Sequence, residues 1–371
     1  MYIHEQQNWP QFTWDKLKLV DRLASVRYRQ GRLIGHMQAL GFSLREEAML
    51  QTLTQEVIKS SEIEGEVLDR DQVRSSLARR LGMDIAGSVP ADRNVEGVVE
   101  MMIDATQNFE RTLTPDRLFA WHGALFPTGR SGMHKITVGQ WRTGEKGPMQ
   151  VISGAIGKEK VHSEAPDASK MEEEMARFLA WFNAALDIDP VLKSALAHLW
   201  FVTIHPFEDG NGRIARAIAD MQLARADESP QRFYSMSSQI RKERNDYYNI
   251  LEKTQKGNLD ITEWLEWFLR CLDRALLATS EILANVMKKA KFWEKHSATS
   301  LNERQRMMID RLLNGIEGKM TSSKWAKMVK CSQDTATRDI QDLISKSILV
   351  KEEAGGRSTS YTLTSNGIKA D

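Results

Sequence analysis

The residues of this 371-residue chain best suited to chemistry lie in one run, HPFEDGNGRIAR, from His205 to Arg216. An imidazole such as that of His205 can take a proton from an attacking hydroxyl at neutral pH. Asp209 supplies a hard carboxylate oxygen for magnesium, which phosphate groups usually bring with them. Asp209, Gly210, Asn211 and Gly212 are small or turn-forming, so successive backbone N–H groups can converge into an anion nest at the positive N-terminus of a following helix. Arg213 and Arg216 share a face of that helix and can grip successive phosphates with charge-assisted forks. These parts describe a site that holds a nucleoside polyphosphate and presents one phosphorus to an external alcohol. The loop reads phosphates and not bases, so it does not fix which nucleotide is held. Phe207 reads as an anchor that packs the loop onto the core rather than as a substrate contact.

The flanking sequence must clamp this loop. SALAHLWFVTI (Ser194 to Ile204) runs up to His205 as a buried helix, Pro206 stops it, and RIARAIADMQLARA starts the next. No GxxxxGK[ST] run occurs in the sequence, so neither a P-loop NTPase nor a kinase-like glycine loop is supported. A calcium loop beginning at Asp209 fails, because Arg213 and Ile214 fall where an oxygen ligand and the turn glycine are required.

The run fits H-x-F-x-[DE]-G-N-G-R-x-x-R at all its fixed positions, and in this it resembles the Fic-domain protein adenylyltransferases (AMPylators). The resemblance extends from about residue 1 to 285, and a C-terminal winged helix also occurs in relatives. It implies transfer of AMP from ATP to a Tyr, Ser or Thr hydroxyl of a target protein, or of the enzyme itself, with release of pyrophosphate. It further implies that His205 is the general base, that Asp209 holds Mg2+, that Gly210, Asn211 and Gly212 cradle the phosphates, that Arg213 contacts them and that Arg216 reaches the γ-phosphate. Tyr247, in DYYNILEKTQ, stands where relatives place a tyrosine on the adenine side; Gln255 stands where they carry an Asn. A hairpin from Met149 to Val161 fits the family's flap. It would bring Val151, Ile152 and Ser153 to the nucleotide and lay a target segment along its edge by β-augmentation. Relatives often pair, which makes a homodimer the expected assembly.

A second pattern, VIKSSEIEGE, precedes the core. Ser60 and Glu64 share a helix face, and Gly65 ends the helix, leaving Glu64 near its tip. This resembles the inhibitory helix of one Fic subclass. The resemblance implies that Glu64 pairs with Arg216 and denies it to the γ-phosphate; some relatives use the same Glu to remove AMP from the target, so a de-AMPylase is an alternative.

Apolar spacing of helical period recurs almost throughout, so the fold class is mainly α: a Fic-type helical bundle with a β-hairpin flap, plus a C-terminal winged helix-turn-helix domain. Leu19, Leu23 and Val26 share a face of a first helix; Arg45 to Ile63 and residues 70 to 82 form the next two, and a loop follows at 83 to 94. We divide the chain into a helical region at 1–93, a catalytic core at 94–287 interrupted by the hairpin, a linker at 288–300 (KKAKFWEKHSATS) and a winged-helix domain at 301–371.

Lys plus Arg total 51 against 50 Asp plus Glu, a net charge of +1, which argues against a polybasic nucleic-acid binder and leaves any basic face local. Two cysteines, Cys271 and Cys331, make no disulfide framework and read as buried thiols in a reducing cytoplasm. The opening MYIHEQQNWPQFTWD lacks the pattern of a secretory signal, and no apolar stretch reaches the roughly 20 residues of a membrane span. Its aromatic cluster, Trp9, Phe12 and Trp14, is expected to pack on the chain's own helices. The alternative function is a nucleotide-sensing, DNA-binding regulator with a weakly active core. Thr335 to Ser345 would be its recognition helix, facing a groove with Thr335, Arg338 and Gln341, and Arg357 would lie in the wing. Asp334, Asp339 and Asp342 repel phosphate, which favours protein docking or dimer packing over DNA.

Overall fold

The computed structural model describes the chain apart from residues 39, 40, 86, 146, 154–159, 317, 353–358 and 365–371, and apart from the side chains of 42, 43, 153, 280–282, 284 and 285. The chain divides into two compact units. The first comprises Met1–Gly41, Met49–Met83 and Val89–Thr279. Its helices are α1 (Lys16–Gln38), α2 (Phe42–Ile63), α3 (Arg70–Arg80), α4 (Arg93–Gln107), α5 (Pro115–Leu125), α6 (Met171–Asn183), α7 (Pro190–Ile204), α8 (Asn211–Asp227), α9 (Met236–Lys242), α10 (Arg244–Gln255) and α11 (Thr262–Lys295). The start of α2 and the end of α11 belong to the second unit. The expected mainly helical fold is present, with α2 beginning a few residues ahead of Arg45 and α4 starting inside the expected loop.

Helix α7 is apolar on every side, and every residue from Val191 to Ile204 is buried. Asp189 caps its N-terminus by accepting from the Val191 N–H, and Pro190 occupies the first turn, where its missing N–H costs nothing. Small residues let α8 approach closely: the Ser194 hydroxyl donates to the Ala219 carbonyl at 2.9 Å, and Ala215, Ala217 and Ala219 are buried. Gly97 plays the same part between α4 and α5, where an added Cβ would fall 1.7 Å from the Ala124 carbonyl oxygen. Trp9 and Phe12 pack edge-on against Trp200 at 6.1 and 5.9 Å, and the Trp9 indole N–H donates to Glu174 at 2.9 Å. The N-terminal aromatic cluster therefore covers the chain's own helices, with Trp14 half-buried.

The expected hairpin is present as antiparallel β3 (Gln150–Ser153) and β4 (Lys160–Glu164), paired Gln150 to Glu164 and Ser153 to Lys160, with a bulge at Val151/Ile152. Strand β4 continues to Glu164, beyond the expected limit at Val161; the turn between the strands lies outside the described residues. A further ribbon, β1 (Arg130–Ser131) with β2 (His134–Lys135), precedes it and has no counterpart in the sequence expectation.

The second unit comprises Phe42–Ala48, Asp84–Ser88 and Ser280–Asp371. Helices α12 (Glu303–Leu313), α13 (Ser322–Met328) and α14 (Gln333–Ser345) are followed by antiparallel β5 (Leu349–Lys351) and β6 (Tyr361–Leu363), the element order expected of the tail. Phe292, Met308, Ile309, Trp325, Ile340, Leu343 and Leu349 form its core. The linker expected at 288–300 is corrected over its first part: α11 runs to Lys295. Phe292 belongs to the core, and the Lys289 ammonium is matched by Glu47 at 3.0 Å and Asp310 at 2.8 Å, so this basic run is structured. The repulsion expected from the α14 carboxylates is also corrected in part. Asp339 is buried against the Arg304 guanidinium, and Asp342 binds Gln305 and Lys346, while Arg338 and Gln341 are exposed. Arg357 lies outside the described residues. Cys271 is buried as expected, but Cys331 is only half-buried. Among the described residues no helix is long and apolar enough to cross a membrane.

Candidate active site

The motif loop joins α7 to α8. The α7 hydrogen bonds end with the His205 N–H on the Phe201 carbonyl at 3.0 Å, and His205 itself takes a left-handed conformation at φ 51°, ψ 60°. Pro206 has no N–H with which to continue the helix. Phe207 is fully buried, stacked on His122 at 4.2 Å and flanked by Trp141 at 5.2 Å, and so is the anchor the sequence suggested. The Asn211 side chain closes the loop from the other end. It accepts from the Phe207 N–H at 3.0 Å and donates to the Phe207 carbonyl at 2.8 Å. That amide is thus spent on the loop, and only the backbone of Asn211 is left for an anion. Gly210 turns the chain into α8 at φ 80°, where a Cβ would also strike the Phe126 ring at 2.8 Å.

The His205 Nδ1 lies 3.3 Å from the Val202 carbonyl. A carbonyl only accepts, so on this geometry Nδ1 carries the hydrogen and Nε2 keeps a lone pair. Burial pushes the imidazole down to about 4; the Arg142 guanidinium adds to this, while the Val202 carbonyl, Asp209 and Glu64 oppose it. The ring is therefore neutral at physiological pH and able to accept a proton. Asp209 accepts from the Gly210 N–H at 2.6 Å and from the Ser131 hydroxyl, which places β1 beside the loop. No cluster of three or more His, Cys, Asp or Glu side chains suited to a metal occurs among the described residues. A single partly exposed carboxylate fits a magnesium ion whose remaining ligands are phosphate oxygens and water, the usual arrangement for that ion.

Helix α2 ends against α8. The Gly65 N–H donates to the Glu62 carbonyl at 3.2 Å and the Glu66 N–H to the Ser61 carbonyl at 3.0 Å, with Gly65 left-handed at φ 88°: a Schellman cap that fixes Glu64 and Glu66 at the helix tip. Glu64 Oε1 meets Arg216 Nη2 at 2.7 Å. The same guanidinium donates from Nε to the Ser60 hydroxyl and from Nη2 to the Ser60 carbonyl, both at 2.9 Å. Burial works against the Arg216 charge, but the Glu64 carboxylate holds its proton affinity above the ordinary arginine range. Glu64 also lies over the start of α8, where a Cβ on Gly212 would come within 2.2 Å of Oε1. Glu66, which sequence reasoning passed over, takes the other motif arginine, with Arg213 Nη1 to Glu66 Oε2 at 2.5 Å. Both motif arginines thus hold carboxylates, Arg216 that of Glu64 and Arg213 that of Glu66.

One helical turn before Ser60, Glu56 faces Asp220 of α8. Glu56 Oε1 and Asp220 Oδ2 are both buried with no hydrogen-bond partner among the described residues. Glu56 Oε2 accepts from the Ser235 hydroxyl and the Ser237 N–H, and Asp220 Oδ1 from Arg232. Burial pushes Asp220 well above the usual carboxylate range.

A cavity of about 430 Å³ opens beside Glu64, His205 and Gly212 and is lined by Val151 and Ile152 of the flap and by Tyr247, Tyr248, Leu251 and Gln255 of α10. Val151, Ile152, Tyr247 and Gln255 therefore come together as the sequence suggested; the Ser153 side chain is outside the described residues. Tyr247 is buried, its hydroxyl 2.8 Å from His198 Nε2, and Gln255 donates to Thr203 at 3.3 Å. Both brace α10 on α7 while showing an edge to the cavity. Tyr248, missed beside Tyr247 in DYYN, also lines the space, and its hydroxyl and Arg244 Nε reach the Ile63 carbonyl at the end of α2. Glu252 latches the flap to α10 through Lys160 at 3.3 Å and His162 at 2.5 Å. Hydrogen bonds from Lys256 and then His162 hold its carboxyl down at about 2.

A helical pair joined by this loop, with a capping helix and a flap, is the arrangement the Fic resemblance implies. The Fic/DOC family matches residues 112–223, so the chain carries a Fic domain; residues 2–83 match a domain of unknown function, DUF4172. Among curated proteins the chain is similar to the protein adenylyltransferase Fic of Culex quinquefasciatus, 35% identical over 114 residues (29% of this chain, 21% of that one). It is also similar to that of Drosophila mojavensis, 27% identical over 282 residues (73% and 51%). The chain thus spans about half or less of the length of these relatives. Its fold is shared with a Fic family protein from Desulfovibrio desulfuricans at 21% identity and a TM-score of 0.54, covering 98% of this chain and 99% of that one. A Fic domain containing signaling protein from Bacteroides thetaiotaomicron matches at 22% identity and a TM-score of 0.51, covering 71% and 96%.

Proposed function

We propose that this protein transfers AMP from ATP to a hydroxyl side chain of a target protein, and that Glu64 holds the transfer in check. The observation that carries the reading is Glu64 seated on Arg216 at 2.7 Å and over Gly212, inside a complete HPFEDGNGRIAR loop. In the proposed reaction the α8 N-terminus, Arg213 and Arg216 bind the phosphates once Glu64 and Glu66 release them. The base lies in the cavity between the flap and α10. His205 Nε2 takes the proton of the target hydroxyl; its oxygen bonds to the α-phosphorus as the bond to the β-phosphate oxygen breaks, and pyrophosphate departs. Asp209 would hold a magnesium ion, which when bound neutralises charge on the phosphates. A target segment would lie along the flap edge, and self-modification follows the same chemistry. The name shared by the curated relatives supports this reading, and the cytoplasm, where ATP is available, suits it.

The test is incorporation of label from α-phosphate-labelled ATP into protein. Wild type, Glu64→Gly and Glu64→Gly/His205→Ala are compared. Labelling in Glu64→Gly that disappears with His205 supports the reading; labelling indifferent to His205 contradicts it.

A further inference from the structure

We propose that Arg142 is a positioning residue for this site, holding the left-handed turn at His205 and tying it to the foot of the flap. The proposal rests on the transfer reading above, with His205 as the proton acceptor. A non-glycine residue at φ 51° is held against its own preference, so something outside the loop must fix it. Arg142 supplies that hold. Its Nε donates to the His205 carbonyl at 2.8 Å, and its own backbone N–H donates to the Pro206 carbonyl at 2.8 Å. With Asn211 gripping both backbone groups of Phe207, three consecutive residues of the loop are fixed from two sides. The remaining arm, Nη2, donates to the Pro166 carbonyl at 2.5 Å, just beyond the end of β4. One guanidinium thus joins the backbone of the proton acceptor to the strand that closes the nucleotide cavity.

Burial argues that this is more than surface decoration. Arg142 is 4% exposed, yet among the described residues its side-chain hydrogen bonds go to the His205 and Pro166 carbonyls, with Asp167 supporting its charge only from beyond hydrogen-bond contact. A buried cation is costly unless its hydrogen bonds are needed where they are. Its neighbour Trp141 is buried against Phe119 at 4.4 Å and Phe207 at 5.2 Å, so this Trp-Arg pair grips both the anchor and the turn. Lysine cannot reproduce the fork, because a single ammonium lacks the planar spread that reaches two carbonyls on different segments.

The test compares Arg142→Met and Arg142→Lys in the full chain carrying Glu64→Gly. Transfer rate, ATP affinity by calorimetric titration, and hydrogen exchange of ATP-free protein are followed. A displacement of about 1 Å at a reacting group is worth about a hundredfold in rate. The expected result is a fall of that order in rate for Arg142→Met and a smaller fall for Arg142→Lys, with ATP affinity within about threefold of the parent. Amide exchange should rise together in residues 205–211 and 160–166. A rate equal to the parent's, or a rate that falls only in step with ATP affinity and melting temperature, overturns the proposal. If the Glu64→Gly parent itself fails to transfer, the transfer reading fails, and exchange alone decides the positioning claim: unchanged protection in either segment overturns it.

Discussion

In the proposed transfer two side chains, His205 and Glu64, decide the chemistry, and both are set by their surroundings. His205 is neutral because burial holds it down at about 4, and its Nδ1 hydrogen is turned to Val202, leaving Nε2 free. Transfer by Glu64→Gly is therefore expected to stay level from pH 8 down to about 5.5 and to fall only as the pH approaches 4. A pH–rate profile with its acid limb near the ordinary histidine value of about 6.5 contradicts this environment. His205→Ala is expected to lower transfer by about 10²–10⁴-fold while ATP binding persists. In the proposed account Glu64 acts by occupation. Charge-assisted hydrogen bonds are worth about 1.5–3 kcal/mol, so freeing Arg216 should raise transfer about 10- to 100-fold in Glu64→Gly. Gly65→Ala keeps the carboxylate but strains the cap at φ 88°, and should raise transfer by a smaller factor in the same assay.

At the scale of elements, the proposed control lies in how α2 docks on α8. Glu56, Ser60 and Glu64 follow one face of α2 and meet Asp220, Arg216 and the Gly212 turn of α8. The Asp220 carboxyl, pushed up by burial and then by Glu56, belongs to that contact. A carboxyl raised by burial adds stability below its unfolded value and loses it as pH rises through the folded one. Wild-type transfer should therefore rise at alkaline pH, where the buried Asp220 carboxyl ionises beside Glu56 and loosens the α2–α8 contact. Glu56→Gln, whose amide donates permanently to Asp220, should remove that rise; an identical alkaline profile in both proteins contradicts it. The sequence made α2 and its Ser60-Glu64 spacing legible because a helix face needs only local information. Ser131 and Arg142 were not legible as site residues, since each is brought there by the packing of distant segments, while Glu66 and Tyr248, next to residues that were singled out, needed their partners Arg213 and Ile63 to show a role. The basic run at Lys288 to Lys295 read as a linker because the partners of Lys289, Glu47 and Asp310, lie far away in sequence.

At the scale of the molecule, the first unit is held by buried groups that must stay uncharged. Burial lowers His122 to about 4 and His198 to about 3, both below the unfolded value near 6.5. Stability they contribute is complete above pH 6.5 and is lost as pH falls toward those values, by roughly 1.4 kcal/mol per pH unit for each. The urea midpoint followed by tryptophan fluorescence should fall between pH 6.5 and 4.5, and a flat midpoint contradicts this. The central claim is narrower: the Fic loop is competent and Glu64 restrains it. The most direct measurement is intact-mass analysis of purified wild type, Glu64→Gly and Glu64→Gly/His205→Ala after incubation with ATP and magnesium, with α-phosphate label followed in an added cell extract. The account predicts AMP addition to the protein or to an extract protein that is strong with Glu64→Gly, weak with wild type and absent without His205. Equal addition by wild type and Glu64→Gly, or none by any variant in either arm, would contradict it.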